Sequence, residues 1–317
     1  MKLRALAPAK VNLCLFMGER RDDGRHELVT LFQSLSLADS LRLETLGAGE
    51  QDEVICPGIP GDNLATRALA ALRARGWDGP PLRLTIDKRI PVAGGMAGGS
   101  ADAAAALRLA MAVTGPTHPS ANLRTEELDL VASSLGSDVP SQLAAGVSVG
   151  TGAGDLVERF EPLAKHAYVV LPAGFELSTA AVYLEADRLG LGRAASELQE
   201  RCTALLAALV PRARVPDRLL VNDLAPAAVS LRPEIGERLK LLLGAGAEHA
   251  LVSGSGPTVF GLRWGEDAFD WASKTADELQ ATAPGAVAVV PVDAGFEVPQ
   301  VCGSGGVGRG VYHRRFR

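Results

Sequence analysis

The stretch PVAGGMAGGSADAAAAL, residues Pro91 to Leu107, decides how this chain is read. Four of the six residues from Gly94 to Gly99 are glycine, and an alanine-rich run follows at once. Helix N-termini carry unpaired backbone N–H groups and partial positive charge. Glycines ahead of such an end let the backbone close around an anion, most often phosphate. The run predicts a helix from Ser100, its expected cap, through Ala112. The competing reading is a tight strand-to-helix turn that binds nothing.

Better-known glycine signatures do not fit. Gly94 to Gly99 has the spacing of a P-loop, but Ser100-Ala101 stands where Lys-Ser/Thr is required. G-x-G-x-x-G occurs only at Gly303 to Gly308, with no helical pattern behind it, so a dinucleotide fold is not indicated. Gly95-Met96-Ala97-Gly98 matches the G-x-x-G of an RNA-binding KH loop. The net charge of −5 argues against that use.

Around this stretch the chain is 317 residues long, 47% hydrophobic and 22% charged, as in an ordinary globular protein with room for two cores. No run of 18 apolar residues is present and the N-terminus does not read as a secretory signal, so neither membrane nor export is expected. Cys14, Cys56, Cys202 and Cys302 are scattered, which suits reduced thiols in the cytoplasm. Val11, Leu13, Leu15 and Met17 alternate as in a half-buried strand, and DDG at Asp22 to Gly24 reads as a turn. A helix follows Asp62 or Asn63, a strand spans Leu82 to Ile86, and a helix runs from Thr125 to Leu135. After the glycine-rich GVSVGTGAGD, strands and helices mix without a regular βαβ repeat, which favours two α+β domains. The expected division is 1–158, 159–297 and a structureless Gly/Arg tail, 298–317.

Three further stretches accompany the glycine loop: PAKVNL at Pro8 to Leu13, GSDVPSQL at Gly136 to Leu143, and SGSGPTVFGL at Ser253 to Leu262. In this order they resemble the GHMP kinase superfamily, over nearly the whole chain from Lys2 to Val290. DGRHEL at Asp23 to Leu28 and NDL at Asn222 to Leu224 bring it nearest to the branch that phosphorylates 4-diphosphocytidyl-2-C-methyl-D-erythritol in non-mevalonate isoprenoid synthesis.

The resemblance implies a two-domain α+β fold with the active site in the cleft, and an ATP-dependent small-molecule kinase. It assigns the ATP phosphates to Pro91, Val92, Ala93, Gly94, Gly95, Met96, Ala97, Gly98, Gly99, Ser100 and Ala101. It makes Lys10 and Asp138 catalytic, and offers Ser100 to a Mg²⁺ ion. Asn12, Arg25, His26 and Tyr183 would meet the substrate, and Gly254, Ser255, Gly256 and Thr258 form a second glycine loop. The family pattern has tyrosine where this chain has Arg25, whose guanidinium plane can also stack on a base. No nucleic acid or membrane partner is implied, and a monomer or weak dimer is expected.

Taken singly, each residue has an ordinary explanation. Asp138 before Val139-Pro140 reads as a helix cap, Lys10 as a surface lysine, His26 as an exposed or hydrogen-bonded histidine, Asn222 and Asp223 as caps, and Gly254 to Thr258 as a hairpin turn. Two rival functions stay open: a sister kinase of the homoserine or mevalonate type, and a silent metabolite-binding relative.

Overall fold

A computed structural model describes residues 1–59, 63–92, 94–114 and 125–302, with Thr125 and Glu126 described by their backbone only. The Asp62 cap, Ala93 and the tail from 303 onward lie outside the described residues.

The first body is a mixed sheet. β1 (Lys2–Arg20) and β2 (His26–Thr45) form a long antiparallel hairpin closed by the DDG turn. β3 (Glu53–Ile55) follows, then α1 (Leu64–Ala74), capped by the Asn63 side chain on Thr66 N–H at 3.0 Å. β4 (Leu82–Asp87) leads into α2 (Gly98–Thr114), and α3 (Thr125–Leu135) comes next. β5 (Val147–Thr151) and β6 (Leu156–Phe160) close this part as a second hairpin, so the glycine-rich stretch expected at a boundary is a strand pair. The order is β1-β2-β4-β3, with β5 pairing the first half of β2 and β4 the second.

The second body holds β7 (His166–Leu171), α4 (Thr179–Arg188), α5 (Ala195–Ala208), α6 (Ala225–Leu231) and α7 (Glu234–Gly244). β8 (His249–Val252), β9 (Val259–Trp264), α8 (Ala268–Leu279) and β10 (Val287–Val289) complete it. Its sheet runs β10-β7-β9-β8.

Two expectations change. β1 is not half-buried: Lys10 and Asn12 are as enclosed as Val11 and Leu13, because α2 and α5 both pack against it. The division at 158 and 297 also shifts, since β6 runs on to Phe160 and the chain returns to the first sheet after β10. Val292 N–H donates to Ser34 O at 3.0 Å, and β11 (Gln300–Val301) pairs with β1 at Leu3 and Arg4. Residues 298–302 are therefore part of the fold, held by strand pairing that composition does not reveal.

α2 is buried on nearly every side, its alanines lying against α1, β1 and β2. Such a helix needs small residues for close approach, which explains the alanine run. It begins at Gly98, with Ala101 N–H bonded to Ala97 O at 2.8 Å, so Ser100 sits inside the first turn and does not cap it. Ala97 makes the turn itself, at φ +57°, a strained conformation for a residue with a Cβ.

Candidate active site

The site grows from β1. Register shifts between Pro8 and Lys10 and between Asn12 and Cys14 flank the two buried polar side chains of this strand, Lys10 and Asn12. Such irregularities re-aim side chains, and both Lys10 and Asn12 point into one cavity of about 460 Å³. The Lys10 ammonium donates to Asn12 Oδ1 at 2.8 Å and stands 3.5 Å from Asp138 Oδ2. Asn12 in turn donates to Thr30 Oγ1 at 2.8 Å, and Thr30 donates to Cys14 O at 2.7 Å. Asp138 lies just before a 3₁₀ turn, Pro140–Leu143, that has no side-chain cap, so its carboxylate is not spent on capping.

The glycine loop is tied to this pair through the backbone: Lys10 N–H donates to Met96 O at 3.1 Å. Gly94 through Gly99 line the same cavity, as do Pro91 and Val92. The second loop presses on the first. A Cβ on Gly95 would meet Ser253 O at 2.6 Å and Gly256 O at 2.7 Å. Gly254 and Ser255 face the cavity, while Gly256 and Thr258 support the glycine loop from outside it. Asn222 fixes the second loop by donating to Val252 O at 2.8 Å and Gly254 O at 2.7 Å. Asp223 accepts from Met17 N–H and pairs with Arg193. Joining strand, loop and helix is thus the larger part of what these two residues do, and capping the smaller.

An anion at this loop would meet free N–H groups of the first turn of α2, with an acid and a base group across the cavity. The profile of the GHMP kinases N terminal domain matches residues 63–146, and that of the GHMP kinases C terminal matches residues 192–274. A 4-diphosphocytidyl-2-C-methyl-D-erythritol kinase of Corynebacterium efficiens is 44% identical over 282 residues, 82% of this chain and 84% of the relative. One of Salinispora arenicola is 42% identical over 88% of each chain.

The chain belongs to the GHMP kinases. A crystal structure of 4-(cytidine 5'-diphospho)-2C-methyl-D-erythritol kinase superposes with a TM-score of 0.70 at 32% identity, covering 91% of this chain and 98% of that one. A homoserine kinase from Cytophaga hutchinsonii superposes at 0.66 with 17% identity, which speaks for the fold alone. As a GHMP kinase the protein is an ATP-dependent small-molecule kinase.

In this GHMP kinase the remaining expected residues are divided. Tyr183, on α4, lines the cavity. Burial pushes its phenol well above the usual range and the Asp138 charge adds to this, so the O–H stays a donor. His26 lies behind Tyr183, stacked on it at 5.2 Å between centroids, and does not line the cavity. Arg25 is not brought in. Its guanidinium pairs with Asp23 at 3.1 Å in the exposed turn, because its own backbone N–H is already anchored to that carboxylate. Ser100 and Ala101 do not line the cavity either, although Gly98, Gly99 and Asp102 on either side of them do.

One charged cluster escaped the sequence reading. Lys88, at the cavity wall, bonds both the fully buried Asp39 and Asp102 of α2. Burial pushes Asp102 up to about 7, against the pull of Lys88 and with a push from Asp39. Its Oδ1 is buried without a partner among the described residues. The signal was present: a carboxylate inside an alanine helix demands a partner.

Proposed function

We propose that this kinase transfers the γ-phosphoryl group of ATP to the 2-hydroxyl of 4-diphosphocytidyl-2-C-methyl-D-erythritol, a step of non-mevalonate isoprenoid precursor synthesis. The observation that supports it best is the Lys10–Asp138 pair, 3.5 Å apart in the same cavity as the glycine loop. The relatives that share this chain's length carry that activity in their names.

Phosphoryl transfer asks the protein for alignment and charge stabilisation more than covalent help. The glycine loop and the start of α2 would hold the nucleotide phosphates. The acceptor is a tertiary alcohol, too weak an acid to ionise beforehand. Asp138 accepts its proton as the new O–P bond forms and the bond to the ADP oxygen breaks. Lys10, 3.5 Å from Asp138, offsets charge at the attacking oxygen. Tyr183 forms the wall at the cytidine end.

Mg²⁺ belongs to the proposal as the ion that neutralises the phosphates. No three His, Cys, Asp or Glu side chains converge to bind a metal among the described residues. The ion we propose is held chiefly by phosphate oxygens and water; Ser100, which the resemblance offers to it, does not line the cavity. A cytoplasmic monomer or weak dimer is the setting we propose; among the described residues no helix is long and apolar enough to cross a membrane.

ATP consumption measured with the cytidyl alcohol, homoserine and mevalonate tests the reading. Turnover with the cytidyl alcohol alone is expected. Turnover with either of the others in its place would make this a sister kinase, and none at all a silent relative.

A further inference from the structure

We propose that Asp187 is a positioning residue for the acceptor site, acting through His26 on Tyr183. The inference rests on the substrate reading above. His26 begins β2 and is buried, yet it does not border the cavity. Its Nε2 lies 2.7 Å from Oδ1 of Asp187, which is on α4, 161 residues away in the chain. Its ring lies 21° from the plane of Tyr183. Tyr183 and Asp187 are one helical turn apart on α4, and therefore point to the same side. His26 is gripped between them.

Each contact does a different job. A carboxylate against Nε2 keeps a histidine N–H at that nitrogen. The ring torsion of a histidine is broad when nothing holds it. The bond to Asp187 removes that freedom and fixes the plane. Offset stacking then fixes Tyr183, the side chain that faces the cavity. Asp187 thus sets the tilt of an aromatic wall that a planar pyrimidine must match, without touching the substrate.

A merely structural ion pair between sheet and helix would show itself differently. It would lower stability and affect both substrates alike, or neither. The two roles separate in steady-state kinetics of Asp187→Ala and Asp187→Asn, with melting temperatures and ¹⁵N NMR of the His26 ring.

Asp187→Ala should raise KM for the cytidyl alcohol about tenfold, the scale of one hydrogen bond, with KM for ATP within about twofold. Its His26 spectrum should change from a single Nε2–H tautomer to a mixture. Asp187→Asn, whose amide oxygen still accepts from Nε2–H, should recover most of the loss. Equal changes in both KM values, or no change in either, would overturn the proposal. Should the unmutated protein fail to use the cytidyl alcohol, the substrate reading falls. The NMR comparison then decides the Asp187–His26 link by itself, and an unchanged ¹⁵N pattern in Asp187→Ala overturns it.

Discussion

The Ser253 hydroxyl donates to the carbonyl of Gly95 at 3.0 Å, joining two glycine loops 158 residues apart in the chain. The loops touch so closely that Gly95 cannot gain a side chain without moving the second loop's backbone. Gly95 also sits at φ +73°, where a Cβ is strained even in open space. Gly95→Ala should therefore separate the loops, lowering the melting temperature by several degrees and raising KM for ATP more than about tenfold. Gly49→Ala is the control. Its φ is +96° and nothing lies within 4 Å, so it carries strain of about 1 kcal/mol and no clash. Equal effects in the two variants would mean that strain, and not loop contact, explains Gly95.

Asp138→Asn keeps the shape of the side chain but gives up its charge beside Lys10. Turnover should fall at least a hundredfold while ATP binding, read by calorimetry, changes by less than about threefold. Lys10→Met should lower turnover similarly, and also release Asn12, its partner at 2.8 Å. Near-normal turnover in Asp138→Asn would remove that carboxylate from the chemistry.

Arg25→Ala should be silent toward both substrates. The guanidinium is more than half exposed and spends itself on Asp23 within the turn, where ion pairs contribute about 0–1 kcal/mol. Tyr183→Ala should instead raise KM for the acceptor. An acceptor KM raised several-fold by Arg25→Ala would show that the turn folds over the bound substrate.

His166 makes a contribution to stability that should fall with acid. Burial holds this histidine down to about 4, although the contact with the Ala164 carbonyl pulls the other way. Its Nδ1–H donates to Ala164 O and its Nε2 accepts from the Tyr168 hydroxyl, both at 2.6 Å. In the unfolded chain the ring binds a proton near pH 6.5. Between these values the unfolded state holds more protons, so stability is present above about 6.5 and is lost as pH falls toward 4. The loss should be of the order of 3 kcal/mol. Asp102, raised to about 7, acts with the opposite sign over the same window. Urea unfolding of the wild type and His166→Leu at several pH values isolates the histidine. An identical pH slope in both proteins would refute the assignment.

The sequence by itself determined the glycine loop, the alanine helix behind it and the family, because backbone freedom and close packing are written in residue size. It also marked Lys10 and Asp138, as members of ordered motifs. Domain limits were less legible: residues 298–302 are held by pairing with a strand almost 300 residues earlier, and no local pattern records that. Tertiary structure alone decided which charges meet. Asp102 finds Lys88, His26 finds Asp187, and Arg25 stays with Asp23. Electrostatic partners are chosen by distance in space and by the cost of burying an unpaired charge, and neither quantity exists until the chain has folded.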